Sequence, residues 1–204
     1  MMEDLSLHIL DIAENAVTAG ATRVRITVNE NERRDVLTFR VTDNGRGMSD
    51  EEKARALDPF FTTGHKRTGL GLPLLAQTAE LCGGVLKLTS APGGGTRVIA
   101  RLLYSHVDRP PLTRMAATIM TLVFAHPEIE FGYRHTRNGL IFNFLRYGRR
   151  GGAAVPVEIV AVRRPCDRAS SGSGLCDQDG VLPIFFSRFS SSARALLILA
   201  SLSP

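Results

Sequence analysis

The chain has 204 residues, of which 44% are hydrophobic, enough for one good-sized domain with room for a small second one. No apolar run reaches bilayer length. The last, Ala193 to Leu202, lies at the wrong end for a signal peptide, so a membrane span is excluded and a cytoplasmic protein is expected. The net charge of +5 is mild and carried almost wholly by Arg, with Lys53, Lys66 and Lys87 as the lysines. No basic run is interleaved with aromatics, so there is no direct nucleic-acid signal. The three cysteines, Cys82, Cys166 and Cys176, have no metal-ligand spacing, and Cys82 reads as a small core residue near a helix end.

In chain order, Glu3 to Ala19 reads as a helix, with Leu5, Ile9, Ile12 and Ala16 on one face and Gly20 as its stop. Asp11 and Asn15 sit four apart on another face, one turn from each other. Thr22 to Asn29 alternates as a strand, Asn29 to Asp35 is a polar turn, and Val36 to Thr42 is the next strand. Ser49-Asp50-Glu51-Glu52 caps a short helix running to about Leu57. Asp58 to Thr68 is a loop. Gly69-Leu70-Gly71-Leu72 opens a helix that runs to about Cys82, with Pro73 in its first turn. Val85 to Ser90 and Thr96 to Leu103 are strands joined by a glycine-rich turn.

Residues 1–104 thus read as a two-layer α/β sandwich with a mostly antiparallel sheet, in the α+β class. Residues 105–146 read as a small accessory unit: a helix from Leu112 to Ala125, then a hairpin about Asn138-Gly139. Residues 147–204 are rich in Arg, Gly, Ala, Ser and Pro, with no sustained period over Arg149 to Gly180. They read as a low-order tail, or as a shifted reading frame of GC-rich DNA.

The stretch Asp43-Asn44-Gly45-Arg46-Gly47-Met48 stands directly after a strand. Gly45 and Gly47 permit positive φ and let a flat ligand lie against bare backbone. Asp43 supplies a fixed acceptor at the mouth of the loop, which suits a base with an exocyclic amino group such as adenine. The same pattern also occurs in plain Asp-Gly turns.

Four motifs fall in order: Asp11-Ile12-Ala13-Glu14-Asn15-Ala16; Asp43 to Met48; Asp58-Pro59-Phe60-Phe61-Thr62-Thr63 followed by Thr68-Gly69-Leu70-Gly71-Leu72; and Gly93-Gly94-Gly95-Thr96. Together they resemble the GHKL superfamily, which unites the ATP-binding domains of sensor histidine kinases, DNA gyrase B, MutL mismatch-repair proteins and the ninety-kilodalton heat-shock chaperones. The resemblance covers about residues 5 to 103 and is closest to the histidine-kinase-like ATPase domain. It implies the Bergerat-type ATP-binding fold, with ATP and Mg²⁺ as cofactors.

By that resemblance, Asn15 coordinates the Mg²⁺ that bridges the phosphates, since an amide oxygen is a suitable hard ligand. Asp11 stands where the hydrolytic branch keeps a general base, usually Glu; its side chain is one methylene shorter. Asp43 accepts the adenine amino group with Thr96 in support, often through water. Gly45 and Gly47 allow close approach and Met48 packs on the base. Gly69, Leu70, Gly71 and Leu72 form a helix start whose backbone N–H groups face the phosphates. Lys66, in the lid from Thr62 to Arg67, neutralises phosphate charge. His8 lies within the first helix and reads as structural.

Only a few residues precede the first motif, so the dimerisation and phosphoacceptor unit of such kinases is expected on a partner protein. The first expectation is therefore a Mg-dependent ATP-binding protein that transfers phosphate to a partner. The alternatives are a nucleotide-gated binding module without significant turnover and a slow ATP hydrolase with Asp11 as base.

Overall fold

The structure is a computed structural model that describes residues 4–58 and 71–148 and the backbone of a strand at 157–163. The elements are α1 (Leu5–Thr18), β1 (Arg23–Asn31), β2 (Val36–Asp43), α2 (Asp50–Arg55), α3 (Gly71–Leu81), β3 (Val85–Ser90), β4 (Thr96–Leu103), α4 (Met115–Ala125), β5 (Glu130–Arg137), β6 (Leu140–Arg146) and β7 (Val157–Arg163). They build an α+β fold around a single sheet of order β3-β4-β2-β1-β5-β6-β7.

Local chemistry sets the helix ends. Asp4 caps α1: its Oδ1 accepts from the Ser6 N–H at 2.8 Å and the Ser6 hydroxyl at 2.6 Å. Its Oδ2 accepts from the Thr113 N–H at 3.1 Å and the Thr113 hydroxyl at 2.5 Å, which ties the start of α1 to the segment before α4. Burial alone would raise the Asp4 pKa; the Ser6 and Thr113 bonds outweigh it and hold the carboxyl below its ordinary value. At the far end of α1, Gly20 takes φ +75°, and the Ala21 and Gly20 N–H groups return to the carbonyls of Ala16 and Val17. That is the Schellman pattern. Ser49 and Glu52 cap α2 reciprocally.

Every strand with described side chains turns one face to the helices. Leu5, Ile9 and Ile12 of α1 and Leu75 of α3 bury against Val24, Ile26, Val28, Leu37, Phe39, Val41, Val98 and Ala100. Each buried Leu, Ile or Phe contributes roughly 1.5–3 kcal/mol. The Cys82 thiol is buried beside the end of α3, as expected.

β1 pairs antiparallel with β2, β2 with β4 and β4 with β3, but β1 pairs parallel with β5. The sheet is therefore mixed, which corrects the expectation of a mostly antiparallel one. The reason is the crossover through α4, which returns the chain to lie beside β1 in the same direction. The expected helix and hairpin of residues 105–146 are present as α4, β5 and β6. Their Ile119, Leu122, Phe131, Tyr133, Phe142 and Phe144 share one buried cluster with α1 and β1. Asn138 (φ +47°) and Gly139 (φ +88°) make the turn, in the left-handed region that such hairpins require. β7 pairs antiparallel with β6 at the sheet edge, within a span for which the sequence predicts no element. Among the described residues no helix is long and apolar enough to cross a membrane.

Candidate nucleotide site

The loop after β2 is held from three sides. The Asn44 amide oxygen accepts from the N–H groups of Thr22 (3.0 Å) and Arg23 (2.8 Å), and its Nδ2 donates to the Thr22 hydroxyl at 2.9 Å. The Arg46 N–H donates to the Ala19 carbonyl at the end of α1, and the Arg46 carbonyl accepts from the Gly93 N–H at 2.7 Å. Ser90 Oγ accepts from the Met48 N–H at 2.9 Å and donates to the Gly95 carbonyl at 2.7 Å. A hydroxyl has one proton, so the Thr96 hydroxyl is the donor in its 3.0 Å contact with Ser90.

Glycine is required where these pieces meet. Gly47 has φ +69° and Gly95 has φ +72°. A Cβ at Gly47 would overlap the Ala91 carbonyl, and one at Gly95 the Asp43 carbonyl. Larger residues would push the β2 loop and the β3–β4 turn apart.

Asp43 sits half-buried at this junction. Its Oδ1 accepts from the Gly45 N–H at 2.8 Å and the Thr96 N–H at 3.2 Å, and its Oδ2 takes no hydrogen bond from a described residue. One carboxylate oxygen is thus fixed by main chain while the other is left to accept. Burial pushes the Asp43 pKa up, and the two backbone bonds oppose that rise in part.

A second cluster forms where α1 meets α3. The Asp11 carboxylate lies so close to Gly71 that a Cβ there would overlap it, so the first motif and the helix start of the third are in contact. His8, one turn earlier on α1, is 1% exposed, and neither ring nitrogen has a hydrogen-bond partner among the described residues. Burial lowers its pKa; the nearby Gly71 backbone opposes the shift without making a well-formed hydrogen bond. Asn15 is exposed on α1 one turn beyond Asp11.

The expected site residues fall into two groups. Asp43, Gly45, Gly47, Met48 and Thr96 come together at one end of the sheet. Thr96 reaches Asp43 through its backbone N–H, whereas its hydroxyl goes to Ser90. Asp11 and Gly71 meet at the α1–α3 junction, and Leu72 packs against the core. Lys66, Gly69 and Leu70 lie outside the described residues. Sequence reasoning alone misses Ser90 and Asn44 as functional braces. Asn44 stands inside the quoted motif; Ser90 carries no signal beyond ending a strand before a turn.

Among the described residues no group of three His, Cys, Asp or Glu side chains could hold a metal on its own. The available donors, the Asn15 amide with the Asp11 carboxylate a turn away, are hard oxygens. They fit Mg²⁺ that brings phosphate and water ligands with it, not a bare ion.

The comparisons with known proteins bear on the same span. The sensor-type histidine kinase PrrB of Mycobacterium leprae is 36% identical over 102 residues, covering 48% of this chain and 22% of the relative. The sensor protein kinase FleS of Pseudomonas aeruginosa is 39% identical over 105 residues, covering 52% of this chain and 26% of the relative. The chain therefore spans about a quarter of the length of these relatives. A solved structure described as the N terminal domain of a DNA repair protein superimposes with a TM-score of 0.46 at 12% identity, over 79% of this chain and 53% of that one. The family described as "Histidine kinase-, DNA gyrase B-, and HSP90-like ATPase" matches residues 3–106. The chain belongs to that family, and this segment is its ATP-binding, kinase-like ATPase domain.

Proposed function

We propose that the domain binds ATP together with Mg²⁺ and passes the γ-phosphoryl group to an acceptor on a partner protein. The observation that carries the nucleotide part is Asp43, with Oδ1 pinned by two main-chain N–H groups and Oδ2 taking no hydrogen bond from a described residue. Adenine would donate its exocyclic amino proton to Oδ2, with Gly45 and Gly47 giving it bare backbone to lie on and Met48 covering its face. The phosphates would then run toward α1 and the start of α3 at Gly71 and Leu72; by the family resemblance Gly69 and Leu70 would add N–H donors there and Lys66 positive charge. Asn15 would hold Mg²⁺, which screens the phosphate charge as it moves onto ADP.

In transfer, the acceptor forms a bond to the γ-phosphorus as the bond to the ADP oxygen breaks. The protein's part is positioning and charge neutralisation. Two things support an acceptor in trans. The relatives are sensor kinases by name, and His8, the one histidine of α1, is sealed in the core.

A second reading is slow hydrolysis with Asp11 as base. It is favoured by the contact of the Asp11 carboxylate with Gly71, at the end of the site where a γ-phosphate would lie.

Calorimetry with ATP and Mg²⁺ tests the first step: heat and thermal protection are expected, and both should weaken with EDTA. Incubation with γ-labelled ATP tests the second. This chain alone should stay unlabelled and release little phosphate. Label on the chain itself overturns transfer to a partner. Rapid phosphate release that Asp11→Asn removes supports the hydrolase. Binding with neither outcome, even with partners added, leaves a nucleotide-gated binding module.

A further inference from the structure

The described helices cover one face of the sheet, and no described residue outside the strands covers the opposite face. The strand register places three rows of side chains across that open face. One row reads Thr89, Arg97, Thr42, Arg25, Gly132 across β3, β4, β2, β1 and β5. The next reads Lys87, Ile99, Arg40, Thr27, Arg134, and the third reads Val85, Arg101, Thr38, Asn29, Thr136. The cations stand on alternate strands in the first two rows, and each row is offset from the next, giving a checkerboard. Cations within a row are roughly 9–10 Å apart and those on the diagonal roughly 8 Å, from ordinary strand spacing.

This staggering keeps like charges from standing directly opposite one another, where they would repel most. It does not neutralise them. Arg40, Lys87, Arg97, Arg101 and Arg134 are all exposed, and none makes an ion pair with a described residue. Among the described side chains of this face the one carboxylate is Glu130, at its margin, already taken by Arg23 (3.1 Å) and Arg25 (3.3 Å).

We infer that the open face of the sheet binds the phosphodiester backbone of duplex nucleic acid without reading its sequence. Guanidinium groups provide most of the charge, and their planar forks match phosphate oxygens. The positions between them carry Thr27, Thr38, Thr42, Thr89 and Asn29, whose short polar side chains donate to phosphate and sugar. No aromatic side chain lies among these rows, so there is no platform on which unpaired bases could stack. A duplex, with its higher charge density, fits better than a single strand. The pattern is invisible as a basic run, because the cations meet only through pairing of strands far apart in sequence.

The test is fluorescence anisotropy with a labelled 20-base-pair DNA duplex, at salt from 50 to 200 mM. Micromolar binding is expected at low salt, with a log–log salt slope of roughly −4 if four or five phosphates are engaged, so affinity should fall roughly 250-fold over that range. Arg40→Glu with Arg101→Glu should weaken binding at least tenfold. Arg33→Glu with Arg34→Glu, in the exposed turn between β1 and β2, makes the same change in net charge and should cost far less. Both pairs should keep their thermal protection by ATP, which certifies the fold. The proposal is overturned by no binding at 50 mM salt, by equal losses in the two pairs, by tighter binding of the matching single strand, or by a face that takes poly-L-glutamate and not DNA, which would mark an acidic protein as its occupant.

Discussion

The two ends of the candidate nucleotide site are built differently. At the base end, Asp43, Asn44, Arg46, Met48, Ser90 and Thr96 are knit together by main-chain hydrogen bonds, and Gly47 and Gly95 let two turns interlock. At the proposed phosphate end, the buried ring of His8 has no hydrogen-bond partner among the described residues, and the Asp11 carboxylate lies against the first residue of α3. Buried polar groups are nearly always paired, so an unpaired one marks a place where stability has been given up. The base end is pre-organised by hydrogen bonds, whereas the other end holds a buried polar ring that they do not satisfy.

The contrast breaks most sharply at Gly47. Gly47→Val forces a branched side chain into positive φ and against the Ala91 carbonyl. A loss of roughly 3–4 kcal/mol in stability is expected, together with loss of measurable ATP binding. Thermal melting and calorimetry check both, and a variant that still binds ATP at the original affinity would show that the interlock is dispensable.

Asp43→Asn comes next. The amide oxygen can still accept from Gly45 and Thr96, but the charged acceptor proposed for adenine is gone, so ATP affinity should fall by roughly 1.5–3 kcal/mol. Folding stability at neutral pH should hold or rise slightly, because burial raises the Asp43 pKa and so penalises its ionised form. The same shift sets the pH dependence. Acidification protonates Asp43 at a higher pH than an ordinary aspartate, so ATP affinity should weaken as that protonation sets in for the parent and stay flatter in the variant. Equal affinities of parent and variant at neutral pH would remove Asp43 from the site.

Much of the base end is legible in the sequence because its signals are local. Asp43, Gly45 and Gly47 are near neighbours in the chain, and a strand running into Asp-x-Gly-x-Gly restricts the shape of the loop behind it. The capping box at Ser49 and the turn at Asn138-Gly139 are readable for the same reason. The features that escape are non-local. The parallel pairing of β5 with β1 joins Arg25 to Glu130, 105 residues away, and nothing in either strand names its neighbour. Thr96 reaches Asp43 through its N–H, and a backbone donor leaves no mark on residue type. Ser90 is a small polar residue ending a strand, and its contact with Met48 exists only once the β2 loop is folded over it.

Ser90→Ala sharpens the comparison from within the base end. The Met48 N–H and the Gly95 carbonyl would lose their shared partner in a part-buried setting. A cost of about 1–2 kcal/mol in stability is expected, with ATP affinity reduced about tenfold or less because Asp43 keeps both of its main-chain bonds. A fall in affinity as large as that of Asp43→Asn would mean that Ser90 touches the nucleotide itself.

The smallest effect at neutral pH, and the one that isolates the phosphate end, belongs to His8. Burial lowers its pKa from the ordinary 6.5, so between the two values the unfolded chain takes up a proton that the folded chain refuses. The neutral ring's contribution is fully present above pH 6.5 and is lost as pH falls through that value toward the folded one. His8→Leu removes both the titration and the unpaired nitrogens. At neutral pH it should therefore be nearly neutral or stabilising by up to about 1 kcal/mol, since replacing an unpaired buried polar group by an apolar one of similar size costs little. Between pH 7 and 5 the parent should lose stability that the variant keeps, as followed by chemical denaturation. If the two curves stay parallel across that range, His8 finds a hydrogen-bond partner in solution, and the two ends of the site are equally well satisfied.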